Sequence, residues 1–161
     1  MTRARLLLAL GALLVLGAVN YSIVAKENIK AEGEVIYLDL APIDPRSLVQ
    51  GDYMALRFRL AQEIEQSFAH GTKPLEGEER LAPIKLDERR VASLAATGAA
   101  APLRVRYRMR RDAVWLGTNA FFFEEGSAAR YANARYGEFR LDAASGEALL
   151  VGLRDAKLAP L

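Results

Sequence analysis

Leu6 to Ala25 contains no charged residue, and its polar members, Asn20, Tyr21 and Ser22, gather near its far end. Twenty helical residues rise about 30 Å, the thickness of a bilayer hydrocarbon core. The pattern therefore predicts a transmembrane helix over residues 6–25. The run is longer than the roughly 7 to 15 apolar residues of a cleavable signal peptide. Ile23-Val24-Ala25 offers a small-residue site for cleavage after Ala25, but Ala-x-Ala is absent, and a retained anchor is the favoured reading. A buried helix of a soluble protein is the alternative, although a strand-rich domain of this size rarely hides a long helix that is apolar all round.

Beyond the helix the hydrophobic period shortens to two. Glu34 to Leu40 is rich in β-branched and aromatic residues and ends at a proline, as a strand does. From Tyr53 to Leu60 the positions Met54, Leu56, Phe58 and Leu60 are apolar while Arg57 and Arg59 lie opposite, which predicts a strand with one buried face. Ala61 to His70 reads as a short helix with Ile64 and Phe68 four apart, followed by a loop from Gly71 to Glu79. Leu81 to Leu94 predicts a hairpin turning at Asp87-Glu88, and Ala95 to Pro102 a small-residue loop. Leu103 to Arg111 alternates Leu103, Val105, Tyr107 and Met109 with Arg104, Arg106, Arg108 and Arg110. Strands at Val114 to Leu116 and Ala120 to Glu124 precede a turn at Glu125-Gly126. Ser127 to Arg135 reads as a helix capped by Ser127, with Tyr131 and Arg135 on one side. Tyr136 to Leu141 and Glu147 to Leu153 form a last hairpin across Asp142 to Gly146.

The architecture expected is mainly β with short peripheral helices, a small antiparallel barrel or sandwich, preceded by one transmembrane helix. Residues 1–5 form a cytoplasmic stub, 6–25 the anchor, 26–33 a juxtamembrane linker and 34–161 one periplasmic domain. Arg3 and Arg5 ahead of the apolar run set this orientation by the positive-inside tendency, because the far flank, Lys26 to Glu32, carries balanced charge. Those two arginines also account for the net charge of +2, since the other 20 basic residues match the 20 acidic ones. The basic balance is thus no argument for nucleic acid, and no nucleic-acid partner is expected. The chain has no cysteine, which excludes thiolate chemistry and Cys-based zinc sites. His70 is the only histidine, which excludes a His-based metal cluster; it sits beside Gly71 at a predicted helix end, where a positive charge is favourable. No cofactor is expected.

The densest motif lies between the first two strands. Pro42 and Pro45 stiffen the connection, and Gly51-Asp52-Tyr53 with Leu56 and Phe58 resembles the signature of the GDYXXLXY protein family, Phe58 standing for the last Tyr. Phe121-Phe122-Phe123-Glu124-Glu125-Gly126, then Tyr136-Gly137 and Gly146 to Leu153, extend the resemblance over most of residues 33–153. The resemblance implies a bacterial membrane protein of the inner membrane that partners a multi-pass membrane protein. It carries topology and association, not chemistry.

Candidate interface residues are Asp44, Arg46, Gly51, Asp52, Tyr53, Phe122, Glu125, Gly126 and Tyr136. Asp44 and Asp52 sit in turns where a carboxylate accepts backbone N–H bonds, which explains them without a ligand, and Gly51 stands where a turn calls for positive φ. Glu124 and Glu125, adjacent on a predicted strand, point to opposite faces and do not make an acid/base pair. Arg104, Arg106, Arg108 and Arg110 could contact an anion such as a lipid phosphate; the plainer reading is a solvated face cross-paired with Asp39, Glu138 or Asp142. Gly-Asp before an alternating strand also resembles type I signal peptidases, membrane-anchored hydrolases that carry Ser-Met several residues before Gly-Asp. Here Ile43 occupies the position eight before Gly51, and the nearest serine, Ser47, precedes Leu48, leaving Lys73 and Lys85 as the available bases. The expectation is a non-enzymatic, membrane-tethered interaction domain.

The first prediction is that the full chain stays with membranes through high-salt and carbonate washes, because apolar anchorage is indifferent to charge screening. Recovery of a soluble species beginning at Lys26 would refute the tether.

Overall fold

The computed structural model describes residues 3–41, 53–96 and 103–161. Helix α1 (Arg3–Glu32) runs well past the apolar stretch, so residues 26–32, assigned to a linker from sequence, are helical. No residue of α1 is buried, and the helix is long and apolar enough to cross a membrane. It ends at Gly33, whose N–H donates to the Ile29 carbonyl at 2.8 Å. A Cβ on Gly33 would overlap that carbonyl and press on the Arg140 Cβ at 3.1 Å, so only glycine lets the helix end lie this close to the sheet.

The β-rich domain holds two main sheets and a ribbon. β1 (Glu34–Asp39), β8 (Tyr136–Leu141) and β9 (Ala148–Arg154) form an antiparallel sheet in the order β1-β8-β9. β3 (Glu79–Leu86), β4 (Ala92–Leu94), β5 (Leu103–Arg110) and β6 (Ala113–Trp115) form the second, in the order β4-β3-β5-β6. The ribbon pairs β2 (Tyr53–Ala55) with β7 (Ala120–Phe122). A parallel bridge between Tyr37 and Val91, with the Tyr37 N–H on the Arg90 carbonyl at 3.0 Å, joins β1 to the start of β4. Seven strands thereby follow one another around a half-barrel. On its far side the Arg106 N–H of β5 donates to the Gly146 carbonyl in the β8–β9 turn at 2.6 Å. Gly146 has φ +74, and a Cβ there would meet Leu81 Cδ2 at 2.5 Å, so this joint too requires glycine.

Alternation in the strands delivers the core. Ile36 and Leu38, Ile84, Val105 and Met109, and Phe139 and Leu141 point inward, all almost fully buried. Phe58 meets Phe139 edge to face with ring centroids 5.3 Å apart. Met54, Leu56, Phe58 and Leu60 are all buried, as their alternation predicts, yet they do not form one strand. β2 stops at Ala55, Phe58 makes a single bridge to Leu40, and α2 (Arg59–Ser67) has already begun at Leu60. The buried face continues because Leu60, Ala61 and Ile64 of α2 take over from the strand positions.

α2 lies across the concave side of the four-stranded sheet and holds both of its edges. Ile64 points into the core, while Glu63 and Glu65 on either side of it accept backbone N–H groups at opposite edges. Glu63 Oε2 accepts from Leu94 of β4 at 2.7 Å, and Glu65 Oε1 from Val114 of β6 at 2.8 Å. A 3₁₀ turn, Phe68–His70, finishes the helix.

The remaining differences from the sequence reading are local. β7 ends at Phe122, so Glu124 and Glu125 lie in a turn and not on a strand. The helix expected over 127–135 is a single turn, α3 (Ala128–Tyr131), and Tyr131 and Arg135 therefore share no helical face. Ser127 does not cap it: its Oγ donates backwards to the Glu124 carbonyl at 2.6 Å. Phe121 and Phe123 both pack on Tyr131, at 5.1 and 5.3 Å between ring centroids, which holds this short turn where its length alone would not.

Glu63→Ala and Glu65→Ala should each destabilise the domain by about 1.5 to 3 kcal/mol, the range for a hydrogen bond to a charged group. Denaturant titration of single and double variants tests this, and a double variant losing less than either single one would show that the clips are not independent anchors.

Candidate functional site

Of the candidate interface residues, Asp44, Arg46, Gly51 and Asp52 lie outside the described residues, as does Ser47. Tyr53 opens β2 at 36% exposure, and its register partner Phe122 stands 75% exposed beside it. Their ring centroids are 5.8 Å apart. The Glu125-Gly126 turn follows on the same ribbon and is exposed. Tyr136 is not part of this patch: it begins β8, opposite Asp39, and the Arg89 guanidinium covers its ring at 5.6 Å.

Large exposed apolar rings are costly in water, and here two sit side by side on a two-stranded ribbon. Met54, the next residue of β2, is buried, so the ribbon is pinned to the core by one face and presents the aromatic pair on the other.

The arginine strand is resolved into separate roles. Arg106 reaches the Ser145 carbonyl through Nη2 at 2.9 Å and pairs with Glu79 at 3.6 Å. It thus fastens β5 to the β8–β9 turn, and of the four it is the one that is half-buried. Arg110 stacks on Trp115 at 4.6 Å. Arg104 and Arg108 are exposed. The acids expected to pair with this face are engaged elsewhere: Asp39 with Arg59 at 3.2 Å, and Glu138 with Arg154, whose Nε donates to Oε2 at 2.6 Å. Asp142 accepts from the Ala144 and Ser145 N–H groups at 3.1 and 3.2 Å and from the Ser145 hydroxyl. The Ser145 hydroxyl first, then these backbone donors, hold the Asp142 carboxyl below the ordinary aspartate range. Burial, in turn, pushes the Tyr107 phenol up.

Sequence reasoning missed a groove of about 970 Å³. One wall is the α1 turn that carries Lys26 and Lys30; the other is the outer face of β5 and β6, with Arg106, Arg108 and Trp115. β9 forms the floor, and Phe122 stands at the lip. Lys26 pairs with Glu147 and closes one end. Lys26 and Lys30 beyond the apolar stretch and the arginine strand, far apart in sequence, therefore line one groove. A charge pattern along each segment could not have signalled this, because the approach depends on where Gly33 turns the chain.

Lys73 is paired with Asp112 at 3.0 Å, and Lys85 is exposed on β3. Among the described residues, no group of three or more His, Asp or Glu converges as a metal site.

These features define a class: a half-barrel domain carried directly on one long apolar helix, with an aromatic ribbon and a charged groove where the two meet. The family model for GDYXXLXY protein matches residues 15–153, which takes in the later part of α1 and most of the domain. The chain belongs to the GDYXXLXY family. No curated protein and no solved structure matches it.

Because the folded Asp142 carboxyl is depressed, its stabilisation is complete above the unfolded aspartate range and is lost as pH falls through the folded value. Ser145→Ala removes the main cause. The variant should be less stable than the parent at neutral pH, with the gap closing in acid; a gap that stays constant down to strongly acidic pH would assign the loss to packing alone.

Proposed function

We propose that this protein is a single-pass, membrane-tethered accessory domain that works by association with a multi-pass protein of the bacterial inner membrane. In this reading Arg3 and Arg5 keep the amino terminus in the cytoplasm, α1 crosses the membrane as a retained anchor and the half-barrel stands in the periplasm. The observation that carries the association is the exposed Tyr53–Phe122 pair. Aromatic side chains held at a surface are among those that contribute most when an interface closes over them. Anchorage in the same bilayer raises the effective concentration of the partners, so a small aromatic patch suffices for occupancy. Family membership supports the same reading, since the resemblance that implied a membrane partner covers the ribbon.

The test is a photo-cross-linking residue placed at Phe122 in the full-length chain, combined with mild-detergent purification and mass spectrometry. A stoichiometric multi-pass protein should be captured, and Tyr53→Ala should reduce its recovery by about tenfold, the effect of losing roughly 1.4 kcal/mol at an interface. The melting temperature of the variant should stay near that of the parent, because Tyr53 lies on the ribbon's outer face. A destabilised Tyr53→Ala chain with unchanged partner recovery would place the residue in the fold and not in an interface.

A further inference from the structure

We propose that the groove between α1 and the arginine face of β5 is a headgroup site for an anionic phospholipid; the inference rests on the reading that α1 spans a membrane. Depth is the first argument. The apolar stretch ends at Ala25, and Lys26 and Lys30 follow one and five residues later, about 1.5 to 8 Å along the helix axis. That is the depth of the headgroup layer outside the hydrocarbon core. The groove they line therefore opens where lipid phosphates lie, and not out in the aqueous phase.

Charge is the second argument. The groove's carboxylates are each paired within it: Glu147 with Lys26, Glu27 with Lys30 at 3.9 Å, and Glu79 with Arg106 at 3.6 Å. Arg108 is the basic residue of the lining left over, among the described residues, and Arg104 and Arg110 lie exposed along the same face. A guanidinium with its donors free suits a phosphate in two-point contact. The wall beside it is Trp115, opposite Arg108 in the β5–β6 register, and an indole at this depth sits with its ring among glyceryl and upper acyl groups.

Addition of a strand from another protein to β9 is the competing use of the groove floor, and the edge is built against it. A bulge between Glu138 and Phe139 breaks the β8–β9 register and leaves Val151 without a partner. Past the bulge the carboxy-terminal residues cover the edge, with Leu161 N–H on the Leu153 carbonyl at 3.2 Å and a bridge between Arg154 and Pro160.

Trp115 is the only tryptophan, so its fluorescence reports this wall alone. The full chain is reconstituted in vesicles of phosphatidylcholine, with or without phosphatidylglycerol, in which one or the other lipid carries bromine on the upper acyl chain as a contact quencher. Brominated phosphatidylglycerol should quench Trp115 more strongly than brominated phosphatidylcholine. Arg108→Gln and Lys30→Gln should abolish that preference, Arg108→Lys should restore part of it, and Lys157→Gln, on an exposed turn far along the chain, should leave it intact. Inorganic phosphate at matched ionic strength should not displace the lipid. If it does, the groove takes a free anion and the lipid assignment falls. Equal quenching by both lipids in a chain that floats with the vesicles overturns the headgroup site, whereas a chain that fails to float overturns the spanning helix itself.

Discussion

The domain depends on a helix that is tied to both rims of the sheet beneath it. Ile64 enters the core while the carboxylates beside it take the outward N–H groups of Leu94 and Val114, at the two edges of β4-β3-β5-β6. Unpaired strand edges expose donors and acceptors that either stay in water or recruit another chain. Here each edge is satisfied at one point by a charged acceptor, and the distance between the two points is fixed by the helix. That constraint curves the sheet around α2 and creates the concave interior that Phe139, Ile36 and Leu38 then fill from the other sheet.

Closure of the half-barrel is correspondingly uneven. Between β1 and β4 there is one backbone bridge at Tyr37, and between β5 and the β8–β9 turn there is the bond to Gly146, reinforced by Arg106 on Ser145. The pair of buried Glu138 and half-buried Arg154 adds a charged link across the bulge on β8 and β9; Glu138 is only 8% exposed. Removing one member of such a pair strands a charge away from water, which costs far more than the intact pair gains. The half-barrel therefore relies on apolar packing for its bulk stability and on a few polar joints for its shape.

Much of the fold was legible because period-two patterns are local. β1, β3, β5, β8 and β9 all fall close to the segments read as strands, and the inward residues of β5 are buried while its arginines face out, as their alternation predicts. Misreadings arose where an element changes type without a change in hydrophobic pattern: Leu60 continues the apolar alternation of Met54, Leu56 and Phe58, yet belongs to a helix. The short turn Ala128–Tyr131 looked longer because stacking on Phe121 and Phe123, a tertiary contact, does the work that capping does in a longer helix. The roles of Glu63 and Glu65 were invisible for a related reason, since acids flanking an apolar helical position look the same on a solvated face as on a sheet edge. At the site, Tyr53 and Phe122 could be singled out from their motifs, but their pairing, the separate position of Tyr136 and the convergence of Lys26 and Lys30 on Arg108 all depend on long-range topology.

The absence of a break between the apolar stretch and the domain has a mechanical meaning. A flexible leash would let a domain wander over its neighbourhood and meet a partner in any orientation. α1 instead continues to Glu32, is locked at Gly33 against Arg140 and is fastened at Lys26 to Glu147 at the end of the β8–β9 turn. The helix and the half-barrel turn together as a mast and its vane. Each residue advances a helix by about 100° around its axis, so the face that α1 shows to its surroundings fixes the compass bearing of the aromatic ribbon, and a neighbour that grips the helix also aims the domain.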